Sequence, residues 1–167
     1  MMVGFRGATS PILQCMLRKP KRFGFKFFCR CGSSGVVYDF HVNKGENFIE
    51  PSTYLNATAN TVLRLCGTIN PITNQTVVYA DNYFSSRLLG EEMTKKGIKY
   101  LGTIRDNRLP KCDDFHLKTE KELKREGRGA ASICSNAEMP MSFIRWFGNR
   151  AVTIVTNYCR MSPFHEK

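Results

Sequence analysis

The sequence predicts an α/β fold in which an antiparallel hairpin precedes alternating strands and helices. Two observations support this. Runs rich in β-branched and aromatic residues recur at strand length, and the amphipathic stretches between them end at glycine. With 167 residues and an ordinary apolar fraction, the chain is long enough to bury a core of its own. We therefore expect an ordered domain rather than a disordered chain.

The hairpin comes first along the chain. Residues 23–31 and 36–42 are predicted to form its two strands, with a Gly-Ser-Ser-Gly turn between them. Alternation in the second strand places Asp39 on one face and Tyr38 with Phe40 on the other, more apolar face. The sheet therefore begins with an antiparallel pair.

The remaining elements alternate in type. They are a helix at 58–66, a buried strand that ends at Asp81, a helix at 87–96, and strands at 99–105, 130–134, 141–147 and 151–156. Residues 108–128 are charged with mixed sign, which is typical of a solvated loop or a short helix. The last three strands are close enough in sequence to predict a β-meander.

The formal charge of +11 is high for this length and is unevenly placed. Up to Tyr38 there is no acidic residue, whereas residues 39–106 contain seven basic and seven acidic residues. The seven early cations are Arg6, Arg18, Lys19, Lys21, Arg22, Lys26 and Arg30. Such a balance favours polyanionic partners, although it is also typical of a solvated basic face.

The chain has no apolar run of membrane-spanning length and no secretory signal at its start, so we expect an intracellular protein. Its seven cysteines are an odd number without C-x-x-C spacing. Neither a disulfide framework nor a zinc site is predicted, and the thiols should be reduced.

The chain is organised around Asp81, which ends the apolar run from Thr76 and precedes a helix. In open α/β sheets, ligands gather at the carboxyl ends of strands, and a carboxylate there is suited to hold a divalent metal. The alternative is that Asp81 only satisfies backbone donors at a turn or helix start.

Four segments of the chain resemble the transposase domain of the piggyBac family. They are residues 2–7 (MVGFRG), 19–26 (KPKRFGFK), 79–86 (YADNYFSS) and 102–107 (GTIRDN), in the family's order and spacing. The resemblance implies an RNase H-like mixed sheet with a C-terminal β-rich insertion. It also implies three carboxylates that bind two metal ions, Mg²⁺ among them, for DNA cleavage and strand transfer. Asp81 matches the second carboxylate.

The match to the catalytic pattern is incomplete. The first carboxylate falls at Gly32, which has no ligand atom, and the third would follow the insertion on a later helix. Asp39 is a poor substitute because it lies in the middle of a strand. We expect Asp81 at the end of a central strand with Gly32 at the end of its neighbour. One carboxylate cannot hold two magnesium ions, so Asp81 should bind metal weakly at best.

The resemblance divides the chain into a partial transposase core (1–107), a charged connection (108–128), and a β-rich insertion with a truncated C-terminal end (129–167). We expect a catalytically inactive, transposable-element-derived domain that binds DNA without sequence preference, in the nucleus. The expected DNA contacts are Arg18, Lys19, Lys21, Arg22 and Lys26. Two alternatives remain: an active nuclease that takes acids from another chain or from Asp39, and a protein-interaction or structural module.

Overall fold

The chain forms two compact units, Met1–Thr68 and Ile69–Lys167. The computed structural model describes residues 1–7, 9–17, 20–44, 54–71, 76–112, 115–135 and 141–159. The boundary between the units lies inside the range 1–107 that the sequence predicted as one partial core. In the described part of the chain, no helix has the length and apolarity needed to cross a membrane.

The first unit is an antiparallel sheet built on one long strand. Its elements are β1 (Met2–Gly4), β2 (Gln14–Cys15), β3 (Phe23–Cys31), β4 (Val37–Val42) and α1 (Ala57–Leu65). Strands β1, β2 and β4 all pair with β3 in antiparallel register. The predicted hairpin is therefore confirmed as β3 and β4, and two further short strands extend it.

The β3–β4 pairing contains a β-bulge, where the register shifts between Arg30 and Cys31. Tyr38 leans toward Gly32, since a Cβ at that glycine would lie 2.8 Å from the Tyr38 ring. The Arg30 guanidinium lies 5.5 Å from the centre of the same ring. Strict alternation placed Tyr38 with Phe40, which was wrong because a bulge shifts the alternation by one residue.

Helix α1 packs on one face of β3 and β4. Asn56 caps it by accepting a hydrogen bond from the Ala59 backbone N–H at 2.8 Å, and α1 buries Ala59 and Val62. Beyond the helix, Thr68 accepts a hydrogen bond from Arg30 of β3 at 2.6 Å. Arg30 therefore lies on the helix-covered face of the sheet.

The second unit is a five-stranded mixed sheet with helices. Its elements are β5 (Val77–Ala80), α2 (Arg87–Lys95), β6 (Lys99–Ile104), a 3₁₀ turn (Asp106–Arg108), α3 (Glu120–Glu126), β7 (Ala131–Ser135), β8 (Ser142–Phe147) and β9 (Ala151–Thr156). The strand order is β5-β6-β9-β8-β7. β5 and β6 are parallel, as α2 between them requires, and the other pairs are antiparallel.

Two findings on this sheet bear on the predictions. The meander of β7, β8 and β9 is confirmed, and it continues the sheet of β6 because β9 pairs with β6. The expectation that Asp81 ends a central strand with Gly32 on its neighbour was wrong. Among the described strands, β5 is at the edge of its sheet, and β3, which ends just before Gly32, belongs to the other sheet.

Candidate functional site at the carboxyl end of β5

Asp81 is the first residue beyond β5, and its side chain is exposed. Its Oδ1 accepts a hydrogen bond from the Asn82 backbone N–H at 2.6 Å. Its carbonyl oxygen accepts from the N–H groups of Phe84 at 2.9 Å and Ser85 at 3.1 Å. Asp81 therefore shapes the turn between β5 and α2, which is the structural role weighed above, while its carboxylate still faces solvent.

Ser85 anchors the turn to β6 through a buried hydrogen bond with Tyr100. The Ser85 hydroxyl donates to the Asp81 carbonyl at 3.0 Å and accepts from the Tyr100 hydroxyl at 2.8 Å, and neither side chain has any exposed surface. A Cβ at Gly102 would lie 2.3 Å from the Ser85 Oγ and 2.6 Å from the Tyr100 hydroxyl. The close approach therefore requires glycine at this position of β6.

Two arginines that follow β6 donate hydrogen bonds to the same turn. One Nη of Arg108 donates to the carbonyl oxygens of Asn82 at 3.0 Å, Tyr83 at 3.1 Å and Ser85 at 2.8 Å. The exposed Arg105 donates from Nε to the Asn82 Oδ1 at 3.3 Å. Among the described residues Arg105 forms no ion pair. The exposed guanidinium therefore lies at the turn beside Asn82 without a carboxylate partner among the described residues.

Asp106, which follows the strand next to β5, is committed to another contact. Its Oδ1 lies 2.5 Å from an Nη of the buried Arg145 in β8, which also donates to the Thr153 hydroxyl at 3.0 Å and the Lys118 carbonyl at 3.1 Å. The ion pair balances a guanidinium that would otherwise be buried unpaired. Asp106 therefore joins the 3₁₀ turn to the far strands rather than acting as a second free acid.

These arginines and Asp106 were not identified as site residues from the sequence. The available signal was position, since residues 105–108 directly follow the strand that runs parallel to β5 and so end at the same edge of the sheet. Arg145 carried no local signal, because its partner lies 39 residues away in sequence.

The donor set around Asp81 does not fit a two-metal centre. Asp81 is a single carboxylate whose Oδ1 already accepts from the Asn82 N–H, and Asp106 is paired with Arg145. Arg105 and Arg108 add positive charge close to the same turn. Within the described ranges, no group of three His, Cys, Asp or Glu side chains is arranged to hold a metal ion. Magnesium prefers several oxygen ligands in octahedral geometry, which this turn does not offer.

The other predicted site residues lie in the first unit. Gly32 follows β3, and Asp39 is in the middle of β4, where its carboxylate accepts from the Phe40 N–H at 2.8 Å. Of the predicted DNA contacts, Lys21 and Arg22 are exposed. The Lys26 ammonium lies 4.8 Å from the centre of the Phe28 ring. The other two predicted contacts, Arg18 and Lys19, are outside the described residues.

Comparisons with known proteins place this geometry in context. The family described as Transposase IS4 matches residues 1–167. Human PiggyBac transposable element-derived protein 2 is 28% identical over 146 residues, and human PiggyBac transposable element-derived protein 3 is 25% identical over 146 residues. Each alignment covers 87% of this chain and 24% of the relative. The chain thus spans about a quarter of the length of these curated relatives.

A solved structure is also similar to this chain. It is the cryo-electron microscopy structure of a piggyBac transposase synaptic complex with hairpin DNA, and it matches with a TM-score of 0.75 at 17% identity. The match covers 99% of this chain and 33% of the transposase chain. The likeness extends over both compact units and concerns the fold.

Proposed function

Because the chain belongs to the Transposase IS4 family and, within it, to the piggyBac proteins, we propose that it is a transposable-element-derived, RNase H-like domain that binds DNA without cutting it. The observation that carries the proposal is the exposed Arg105, which donates to the Asn82 side chain at the carboxyl end of β5, the sheet edge where ligands of α/β folds bind. An arginine in that position is suited to a phosphate oxygen.

The proposed DNA binding rests on the positive charge of the chain. The chain carries a formal +11, and the exposed Lys21 and Arg22 add cations in the first unit. Lysine and arginine contacts to phosphates release condensed counterions, which gives affinity without sequence preference. A DNA-directed role implies a nuclear protein, and localisation of the tagged full chain in cells tests that inference.

The proposed lack of DNA cleavage rests on the carboxylates that are missing or already paired. The family resemblance assigns the first carboxylate to position 32, which is glycine here, and Asp106 is tied to Arg145. In two-metal catalysis one ion activates the attacking oxygen and the other stabilises the leaving oxygen, at a separation of about 4 Å. Asp81 alone does not supply the ligands for this arrangement.

The binding experiment measures fluorescence anisotropy of a labelled duplex over a series of salt concentrations. We expect weak binding whose affinity falls as salt rises. Arg105→Gln should reduce the salt slope by about 0.9 for the one phosphate contact it removes. Lys99→Gln is the matched control, because Lys99 is an exposed cation at the opposite end of β6. Absence of duplex binding at low salt would favour the interaction-module alternative.

The cleavage experiment incubates the chain with supercoiled plasmid and Mg²⁺ or Mn²⁺. We expect no nicked or linear product. Metal-dependent nicking that Asp81→Asn abolishes would refute the inactive assignment and establish the nuclease alternative, with its remaining acids supplied from elsewhere.

A further inference from the structure

One end of the five-stranded sheet in the second unit gathers the ends of four strands. The last residue of β6 pairs with Thr153 of β9, the last residue of β8 pairs with the first of β9, and the first residue of β7 pairs with Trp146 of β8. The carboxyl ends of β6 and β8 therefore meet the amino ends of β7 and β9 at the same end of the sheet. This end also carries the Asp81 turn, because β5 runs parallel to β6.

An exposed arginine stands at three of these strand ends. Arg105 directly follows β6, Arg150 directly precedes β9, and Arg128 lies in the turn before β7. The Gly129 N–H donates to the Phe147 carbonyl at 2.8 Å, which holds that turn against the end of β8. None of the three arginines forms an ion pair with another described residue. We call Arg105, Arg150 and Arg128 the arginine row.

The described carboxylates at this end of the sheet already have partners within the second unit. Each accepts a hydrogen bond or joins an ion pair: Glu120 with the Ala151 N–H at 3.3 Å, Glu122 with the Thr119 N–H at 2.6 Å, Glu126 with Lys118 at 2.7 Å, Asp106 with Arg145 at 2.5 Å, and Asp81 with the Asn82 N–H at 2.6 Å. On α3, the exposed Lys121 and Arg125 are one helical turn apart, on the side opposite the buried Leu123. The helix therefore uses its acids in local contacts and presents cations to solvent close to the arginine row.

We propose that the arginine row binds one sugar-phosphate strand of duplex DNA, continuing the Arg105 contact across the ends of β9 and β8 to Arg128. The row extends the DNA contact of the proposed function and therefore depends on it. β6 and β7 are three strand spacings apart, about 14 Å, and the phosphates of one DNA strand recur about every 3.4 Å along the duplex axis. The row thus spans about four phosphates, and the planar fork of donors on each arginine suits phosphate oxygens.

The test measures fluorescence anisotropy of a labelled duplex over a series of salt concentrations. Arg128→Gln combined with Arg150→Gln removes two phosphate contacts, so the salt slope should fall by about 1.8. Lys96→Gln combined with Lys99→Gln is the matched control, because both lysines are exposed in the same unit, where α2 ends and β6 begins, at the opposite end of the sheet. The two double variants lose the same charge, and the control should keep the salt slope of the wild type.

Two further sets of variants make the measurement decisive. Arg128→Lys combined with Arg150→Lys should keep the wild-type salt slope, since lysine also neutralises phosphates. Circular dichroism and thermal unfolding show whether the double Gln variant is folded. If it is not, the single Gln variants replace it, and each should lower the slope by about 0.9.

The outcomes separate the arginine row from the Arg105 contact. An unchanged slope in the Gln variants of Arg128 and Arg150, together with a lower slope in Arg105→Gln, would overturn the row and leave the proposed function standing. An equal loss of slope in the lysine control would also overturn the row, because the binding would then depend on charge anywhere on the unit. Wild-type protein that does not bind duplex at low salt would overturn both.

Discussion

Replacing Tyr100 and Ser85 singly and together tests whether the Asp81 turn is held by a buried hydrogen bond. The two hydroxyl oxygens are 2.8 Å apart, and neither residue has any exposed surface, so water does not reach the pair. Tyr100→Phe removes one neutral hydrogen bond and should reduce the free energy of unfolding by about 1 kcal/mol.

Ser85→Ala should cost more. It leaves the Tyr100 hydroxyl buried without this acceptor and removes the 3.0 Å bond to the Asp81 carbonyl. Each neutral hydrogen bond contributes about 1 kcal/mol, so we expect a loss of about 2 kcal/mol. The double variant should lose no more than Ser85→Ala alone, because the hydrogen bond that Tyr100→Phe removes is already lost in Ser85→Ala.

Urea unfolding followed by tryptophan fluorescence measures these differences. Trp146 is the single tryptophan of the chain and lies in β8, so its signal reports on the unit that contains the turn. The midpoint should shift while the slope stays constant. Additive losses in the double variant, or a larger loss for Tyr100→Phe than for Ser85→Ala, would refute the proposed role of the hydrogen bond.

Three other predictions follow from single contacts. Asp106→Asn leaves the buried Arg145 without its anion and should lower the free energy of unfolding by about 1–2 kcal/mol, measured by urea unfolding. Hydrogen bonds from the Thr119 backbone and hydroxyl lower the pKa of Glu122 below its ordinary 4.5. The stabilisation of α3 should therefore be present above pH 4.5 and be lost as pH falls through the lowered pKa; Glu122→Gln should remove this dependence in far-ultraviolet circular dichroism. Burial raises the pKa of the Cys66 thiol to about 11, so at neutral pH it should react with an aromatic disulfide reagent far more slowly than the exposed cysteines.

Local patterns in the sequence were sufficient to predict most elements. The strand predicted at 23–31 is β3, and the helix predicted at 87–96 is α2, which ends one residue earlier. Both depend on signals within the element, namely aromatic composition in the first and the cap at Ser86 with the stop at Gly97 in the second. The Asp81 turn was predicted for the same reason. All seven cysteines are free in the structure.

Long-range pairing was not predictable in this way. The bulge at Tyr38 depends on how two strands align, and the Arg145–Asp106 pair joins residues far apart in sequence. The composition of β5 predicted a buried strand, yet at the edge of its sheet none of its four residues is buried and Tyr79 is 70% exposed. An apolar run of this length has the same composition in an edge strand and in a central one. The cations around Asp81 became evident only once β6 was known to end beside β5.

The position of β9 has a consequence for the folding of the second unit during synthesis. This strand is the last element of the sheet in sequence, yet it lies between β6 and β8, and Gly102 pairs with Val155. During synthesis β5 and β6 emerge first and must wait for about 50 further residues, several seconds at ribosomal rates of about 5–20 residues per second. Until then β6 has an unpaired edge that is open to pairing with other chains. The strand edge of the second unit is therefore exposed to pairing with other chains for longer during synthesis than the edges of the first unit, whose paired strands lie closer together in sequence.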